Sequence, residues 1–261
     1  MLSSHTMRAL PVVRLAPAAL AALALAGCSS RADPDRQAAA APPPRDAGAA
    51  SDSSLRDHMI EHLAAVQRAQ EAVMRGHLEP ARVAAAWLAQ HPEHVALTGD
   101  AAQIARVRGA ALALAEAPDL REAASVIASL GLACSACHLE RGVAASFPAA
   151  PEPADGATLV EQMRRHEWAS RELWQGLIGP SDERWRRGAT TMAALRLDAG
   201  ELARGPQGDT VRAAVARVRA LASQAQAVAG QDERATLYGR MTEACVACHQ
   251  AVRPQGAPLA P

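Results

Sequence analysis

Two stretches of the chain carry the same spaced row of apolar positions. Leu55, Met59, His62, Val66, Ala69 and Val73 step by 4, 3, 4, 3 and 4 residues, and Leu159, Met163, His166, Ser170, Leu173 and Leu177 step identically. Such spacing returns to one side of a helix and forms a seam that faces a core. The residues around it supply stops and starts. Ser54-x-x-Asp57 predicts a helix running to about Arg75, with Gly76 as its stop. Pro80 suits the first turn of a second helix ending near His91-Pro92. A third runs from about Thr98 to Glu116, and Asp119-x-x-Glu122 caps a fourth that ends near Gly142. The later segment repeats this. Thr158-x-x-Glu161 opens a helix ending at Gly179-Pro180, Ser181 or Asp182 caps the next, and Asp209 and Asp232 open two more. No segment alternates with the period of two that marks a strand.

The two rows belong to an internal repeat. Met59-x-x-His62 matches Met163-x-x-His166 at an offset of 104, and a later Cys-x-x-Cys-His pentapeptide recurs at an offset of 111. A net insertion of seven residues in the second half accounts for the difference. Self-similarity of this kind marks duplication. The expected fold is all-α, as two tandem four-helix bundles, since four helices joined by short loops favour antiparallel packing. The expected organisation is a leader over 1–27, a tether over 28–52, one bundle over 53–147, a linker over 148–154, a second bundle over 155–253 and a tail over 254–261.

The N-terminal segment reads as an export signal. Arg8 and Arg14 give a positive start, and Leu15 to Ala26 is an apolar run too short to span a membrane. It ends in Leu25-Ala26-Gly27-Cys28, which resembles the bacterial lipobox. That resemblance implies lipidation of Cys28 and anchorage to a membrane surface without spanning it. Ser29 in place of Asp resembles the outer-membrane default. The Ala-, Pro-, Asp- and Ser-rich segment that follows lacks the apolar surface needed to fold.

Composition narrows the field. There are 27 basic and 27 acidic residues, a balance that argues against a nucleic-acid footprint. Aromatic residues are only 2% of the chain, so the core must come from Ala, Leu and Val, plus any cofactor. No Ser/His/Asp set or phosphate loop stands out, and an enzyme is not expected.

The chemistry concentrates in Cys134-Ser135-Ala136-Cys137-His138 and Cys245-Val246-Ala247-Cys248-His249. Cys-x-x-Cys-His is the attachment pattern of c-type haem: the thiols add to the haem vinyl groups and the His is aimed at the iron. A redox dithiol would sit beside a βαβ pattern, and none is visible. A Cys₄ zinc site does not require a His after each pair. Two covalent haems c are therefore the expected cofactors, held by Cys134, Cys137, Cys245 and Cys248.

Each motif closes its own predicted bundle, and this late position resembles the class II c-type cytochromes, the cytochrome c′ kind of four-helix bundle. The resemblance implies that His138 and His249 are proximal iron ligands. It places the first helix across the haem, so His62 and His166 are distal candidates, with Met59 and Met163 as alternatives and an open site as a third possibility. Arg141 and Arg253 either pair with haem propionates or offset a helix dipole. His58, His77, His91 and His94 have no equivalents in the second half and read as surface residues. The implied function is electron transport on the periplasmic side, anchored by lipid and exchanging electrons with redox proteins there. A gas-binding or sensing protein with an open distal site is the alternative, and a haem peroxidase is a more distant one.

Overall fold

The computed structural model describes residues 46–203 and 205–252. The leader 1–27, Cys28, Arg253 and the tail 254–261 lie outside the described residues. Nine α-helices and one short 3₁₀ turn make up the described chain, with no strand among the described residues. The all-helical class expected from the patterning is what the chain adopts.

The first half contains α1 (Asp46–Met74), α2 (Leu78–Gln90), α3 (Ala101–Ala115) and α4 (Leu120–Glu140). The second contains α5 (Leu159–Ile178), α6 (Asp182–Ala194), the single turn α7 (Ala199–Leu202), α8 (Gly205–Ala225) and α9 (Gln231–Val252). Several boundaries follow from side-chain caps. Asp119 accepts from the Glu122 N–H at 2.8 Å. Thr158 and Glu161 form a reciprocal capping box at the start of α5. Ser181 accepts from the Arg184 N–H at the start of α6.

Two expected starts are corrected. α1 begins at Asp46, so Ser54 lies inside the helix, and its hydroxyl meets His94 Nε2 at 2.9 Å. The Ala-rich stretch before Ser54 favours helix strongly enough to carry it back into the expected tether. Asp209 likewise lies inside α8, where it pairs with Arg212.

Helices pack in chain order within each half, and the halves meet through α4 and α9, the two that carry the Cys-x-x-Cys-His pentapeptides. One continuous core runs from Val66 and Val73 through Ile127 and Leu130 to Leu173, Leu177 and Leu237. α4 is long and apolar enough to cross a membrane by composition. Here that apolarity is spent on the core, where Ile127 and Leu130 are fully buried. Close helix contact depends on missing side chains. A Cβ on Gly188 would stand 2.7 Å from the Leu173 nitrogen and 2.8 Å from the Ala169 oxygen, so α6 seats its backbone directly on α5. Tyr238 of α9 is buried against Trp174 and accepts from Gln70 of α1 at 2.8 Å, tying the second half to the first.

Both seams face inward, and burial rises along each. Val66, Ala69 and Val73 are buried, as are Ser170, Leu173 and Leu177. Leu55, Met59 and His62, and their counterparts Leu159, Met163 and His166, are only half-buried.

Candidate functional site

Cys134 and His138 lie one turn apart on α4, and Cys245 and His249 one turn apart on α9, so each pair shares a helix face. The two histidines are held in the same way. His138 Nδ1 is 2.8 Å from the carbonyl oxygen of Ile178, and His249 Nδ1 is 2.7 Å from that of Met74. Ile178 is the last residue of α5 and Met74 the last of α1. The final carbonyls of a helix lack an intrahelical donor and seek one elsewhere. A carbonyl only accepts, so each Nδ1 carries the hydrogen and the lone pair sits on Nε2. That tautomer and orientation suit an imidazole that ligates a metal through Nε2.

In the second half these groups line a cleft that is partly open to solvent and walled mainly by apolar side chains. Cys245, Cys248 and His249 come from α9, Met163 and His166 from α5, and Val215, Val218 and Arg219 from α8. The His166 and His249 rings stand 6.1 Å apart between centroids, at 72° to each other. An apolar-walled cleft, two adjacent thiols, an oriented imidazole and a second imidazole beside it are a residue set that would suit a covalently held haem.

Burial sets the protonation of these groups. It pushes the thiols of Cys134 and Cys245 up to about 12, and raises Cys137 and Cys248 as well. Reactive dithiols show the opposite shift, since they work as thiolates. Burial, with His249 nearby as a smaller cause, lowers His166 to about 4, so it is a neutral donor at pH 7. The four cysteines do not gather: among the described residues the one cluster of three or more metal-ligating side chains is made of histidines.

The first half repeats the carbonyl contact at its motif histidine but differs around His62. The His62 ring packs with His58 at 4.2 Å, His91 at 5.2 Å and Trp87 at 6.5 Å. The cavity beside His138 is lined by Leu139, Gly142, Val143 and Gly179–Ser181, and includes neither Cys134, Cys137, Met59 nor His62. In the second half the expected site residues line one cleft together, whereas in the first half the His62 ring packs with His58 and His91. His91 of the first half stands where the second half has Leu195, a residue of the cavity wall.

Two groups of residues escaped the sequence reading. His58 and His91 were expected at the surface, but both are half-buried against His62. The spacing His58-x-x-x-His62 puts both rings on one helix face and was the available signal. Arg219 is the basic group of the second cavity, and Arg108, at the same place in the first half, is close enough to His62 to help lower its pKa. Nothing in the sequence separates these from other arginines. Arg141, a propionate candidate from its spacing, is engaged by Asp100.

No protein-family model matches the chain, and neither a curated protein nor a solved structure matches it.

Proposed function

We propose that this chain is a dihaem c-type cytochrome, built as two tandem four-helix units of the class II kind, that carries electrons on the periplasmic side of a membrane. The observation that supports this best is the convergence of Cys245, Cys248 and His249 with His166 and Met163 on one cavity. Haem bound there supplies a one-electron couple at its iron.

The remaining work belongs to the chain. Cys245 and Cys248 hold the group by thioether bonds, and Cys134 and Cys137 do so in the first half. His249 and His138 ligate through Nε2, and the carbonyls of Met74 and Ile178 hold each ring in place. His166 is the distal ligand of the second site, with Met163 beside it as the alternative. Met59 and His62 are the corresponding candidates of the first. Arg219 is the cation of the second cavity available to a propionate. The apolar wall of Val215, Val218 and Leu195 would limit water on its side of the group and so tune the potential. Lipidation at Cys28 and a tether beyond it would keep the domain at a membrane surface, within reach of redox proteins there.

A second reading concerns the first half alone. His62 is drawn toward His58 and His91, which leaves the distal side of His138 without its expected imidazole. That favours an open or weakly ligated iron there, suited to binding a small gas.

A pyridine haemochrome assay on the exported protein tests the main reading. Two covalent haems per chain are expected, and one after Cys245→Ala/Cys248→Ala. Absence of covalent haem would sink both readings. Carbon monoxide binding at one of the two haems would support the gas-binding reading, and its absence would remove it.

A further inference from the structure

We propose that His58, His62 and His91 form a separate site for a divalent transition-metal ion of the zinc class, present in the first half only. His58 and His62 stand one turn apart on α1. His91 follows the last residue of α2, where its extended ψ of 133° precedes Pro92. That conformation swings its ring back over α1, to within 5.1 Å of His58 and 5.2 Å of His62 between centroids. One potential ligand nitrogen from each of the three lies within 4.8 Å of the others. A tetrahedral ion with bonds of about 2.0–2.1 Å needs nitrogens roughly 3.3 Å apart, a closure that small side-chain rotations supply.

Independent observations point to a ligand. The Nε2 atoms of His58 and His62 are buried and have no hydrogen-bond partner. Unsatisfied buried groups are costly and therefore call for a partner. A metal ion would accept both lone pairs. The carboxylate of Glu61 lies 3.3 Å from His91 Nε2. With Nε2–H donating to Glu61, the His91 lone pair is on Nδ1, the carboxylate–histidine arrangement that supports metal-ligating imidazoles. Trp87 stacks on His91 at 4.2 Å and fixes its ring plane. His94 is close by, but its Nδ1 accepts from the Ala96 N–H and its Nε2 bonds Ser54, so both ring nitrogens are engaged.

An all-imidazole donor set selects zinc, copper or nickel over magnesium or calcium. Three ligands also leave a coordination position for water or an outside group. The second half has no counterpart: Gln162 stands at the position of His58 and Leu195 at that of His91. Gln162 is moreover fully engaged, donating to Asp155 and Gly156 and accepting from the Arg196 N–H. The inference does not depend on the haem reading, except that His62 given to this ion leaves Met59 as the first haem's distal candidate.

Isothermal titration of the purified full-length protein with zinc chloride, after chelator treatment and dialysis, tests the site. One zinc ion per chain is expected. His58→Ala and His91→Ala should each weaken binding at least about tenfold, and His94→Ala should leave it unchanged. Circular dichroism spectra matching the parent would show that each variant is folded. A zinc-dependent rise in the melting temperature of the parent, absent from the two variants, would support the same conclusion. No zinc binding by the parent, or binding unchanged in both His58→Ala and His91→Ala, would overturn it. Covalent haem content is read separately on the same samples, so failure of one reading leaves the other standing.

Discussion

His249 Nδ1 donates to the carbonyl of Met74 at 2.7 Å, so the histidine of the second Cys-x-x-Cys-His motif is oriented by the end of the first half's first helix. His138 makes the mirror contact with Ile178, which occupies the position of Met74 in the repeat. Each half therefore orients the motif histidine of the other, across a continuous core that runs through α4 and α9.

Gly76 tests this exchange. It ends α1 with a φ of 76°, and its N–H bonds the Val73 carbonyl just before Met74. A Cβ there would be strained and would meet Gln250 Cγ at 3.2 Å, next to His249. Gly76→Ala should cost about 1 kcal/mol of stability. It should also shift the spectrum of the haem proposed at His249 more than that of the haem proposed at His138. Gly142, with a φ of 63° and open space around it, is the first-half comparison. Gly142→Ala should cost about as much, and any spectral change should fall on the haem proposed at His138, whose neighbouring cavity Gly142 lines. Electron resonance of the two variants, with denaturant melts, measures both effects.

His166→Ala removes the imidazole across from His249. The iron proposed at the second site should become high-spin and bind carbon monoxide, and its potential should rise. His166→Met should stay low-spin with a raised potential, because a thioether stabilises ferrous iron relative to an imidazole. His62→Ala should leave the second haem unchanged. Optical titration under carbon monoxide and a potentiometric titration read these outcomes. Persistence of the low-spin signal in His166→Ala would assign the ligand to Met163.

The helices were legible because their ends carry chemistry. Asp119, Thr158 and Ser181 cap where their side chains allow it, and the repeated seam marked the inward faces of α1 and α5. The cysteines and both motif histidines were legible as a pattern. The anchoring of His138 and His249 was not, because a backbone carbonyl has no residue identity to read. Neither was the histidine cluster, since His91 joins it only through the path of the chain before Pro92. The start of α1 was missed because Ser54 looks like a cap, while the alanines before it sustain the helix.

Acid should destabilise the chain through its buried histidines. Burial holds both His62 and His166 at about 4, below the ordinary 6.5. In the unfolded chain each takes a proton as pH falls through 6.5, whereas in the folded chain each stays neutral until about 4. The unfolded state binds more protons in that window. Stability from these groups is thus complete above pH 6.5 and is lost progressively as pH falls toward 4. The slope approaches about 1.4 kcal/mol per pH unit per histidine at most. Urea melts of the cofactor-free chain between pH 7 and pH 4.5 should show it, and His166→Leu should reduce the slope.

The α5–α6 contact rests on a buried ion cluster as well as on Gly188. Glu172 is 2% exposed and accepts from Arg184 and Arg187, each at 2.6 Å. Arg184 also donates to Gln175 at 2.8 Å and to the Phe147 carbonyl at 2.9 Å, which pins the segment leading out of α4. Its side chain is 14% exposed, whereas that of Arg187 is 43% exposed and can turn to water. The two arginines should therefore differ in weight. Glu172→Ala leaves Arg184 buried without its counter-charge and should cost about 3 kcal/mol. Arg187→Ala should cost less than about 1 kcal/mol. Adding Arg184→Ala to Glu172→Ala should cost much less than Arg184→Ala alone, because the stranded charge is then gone. Urea denaturation of the four variants closes this cycle. Equal costs for Arg184→Ala in both backgrounds would show that the pair acts independently.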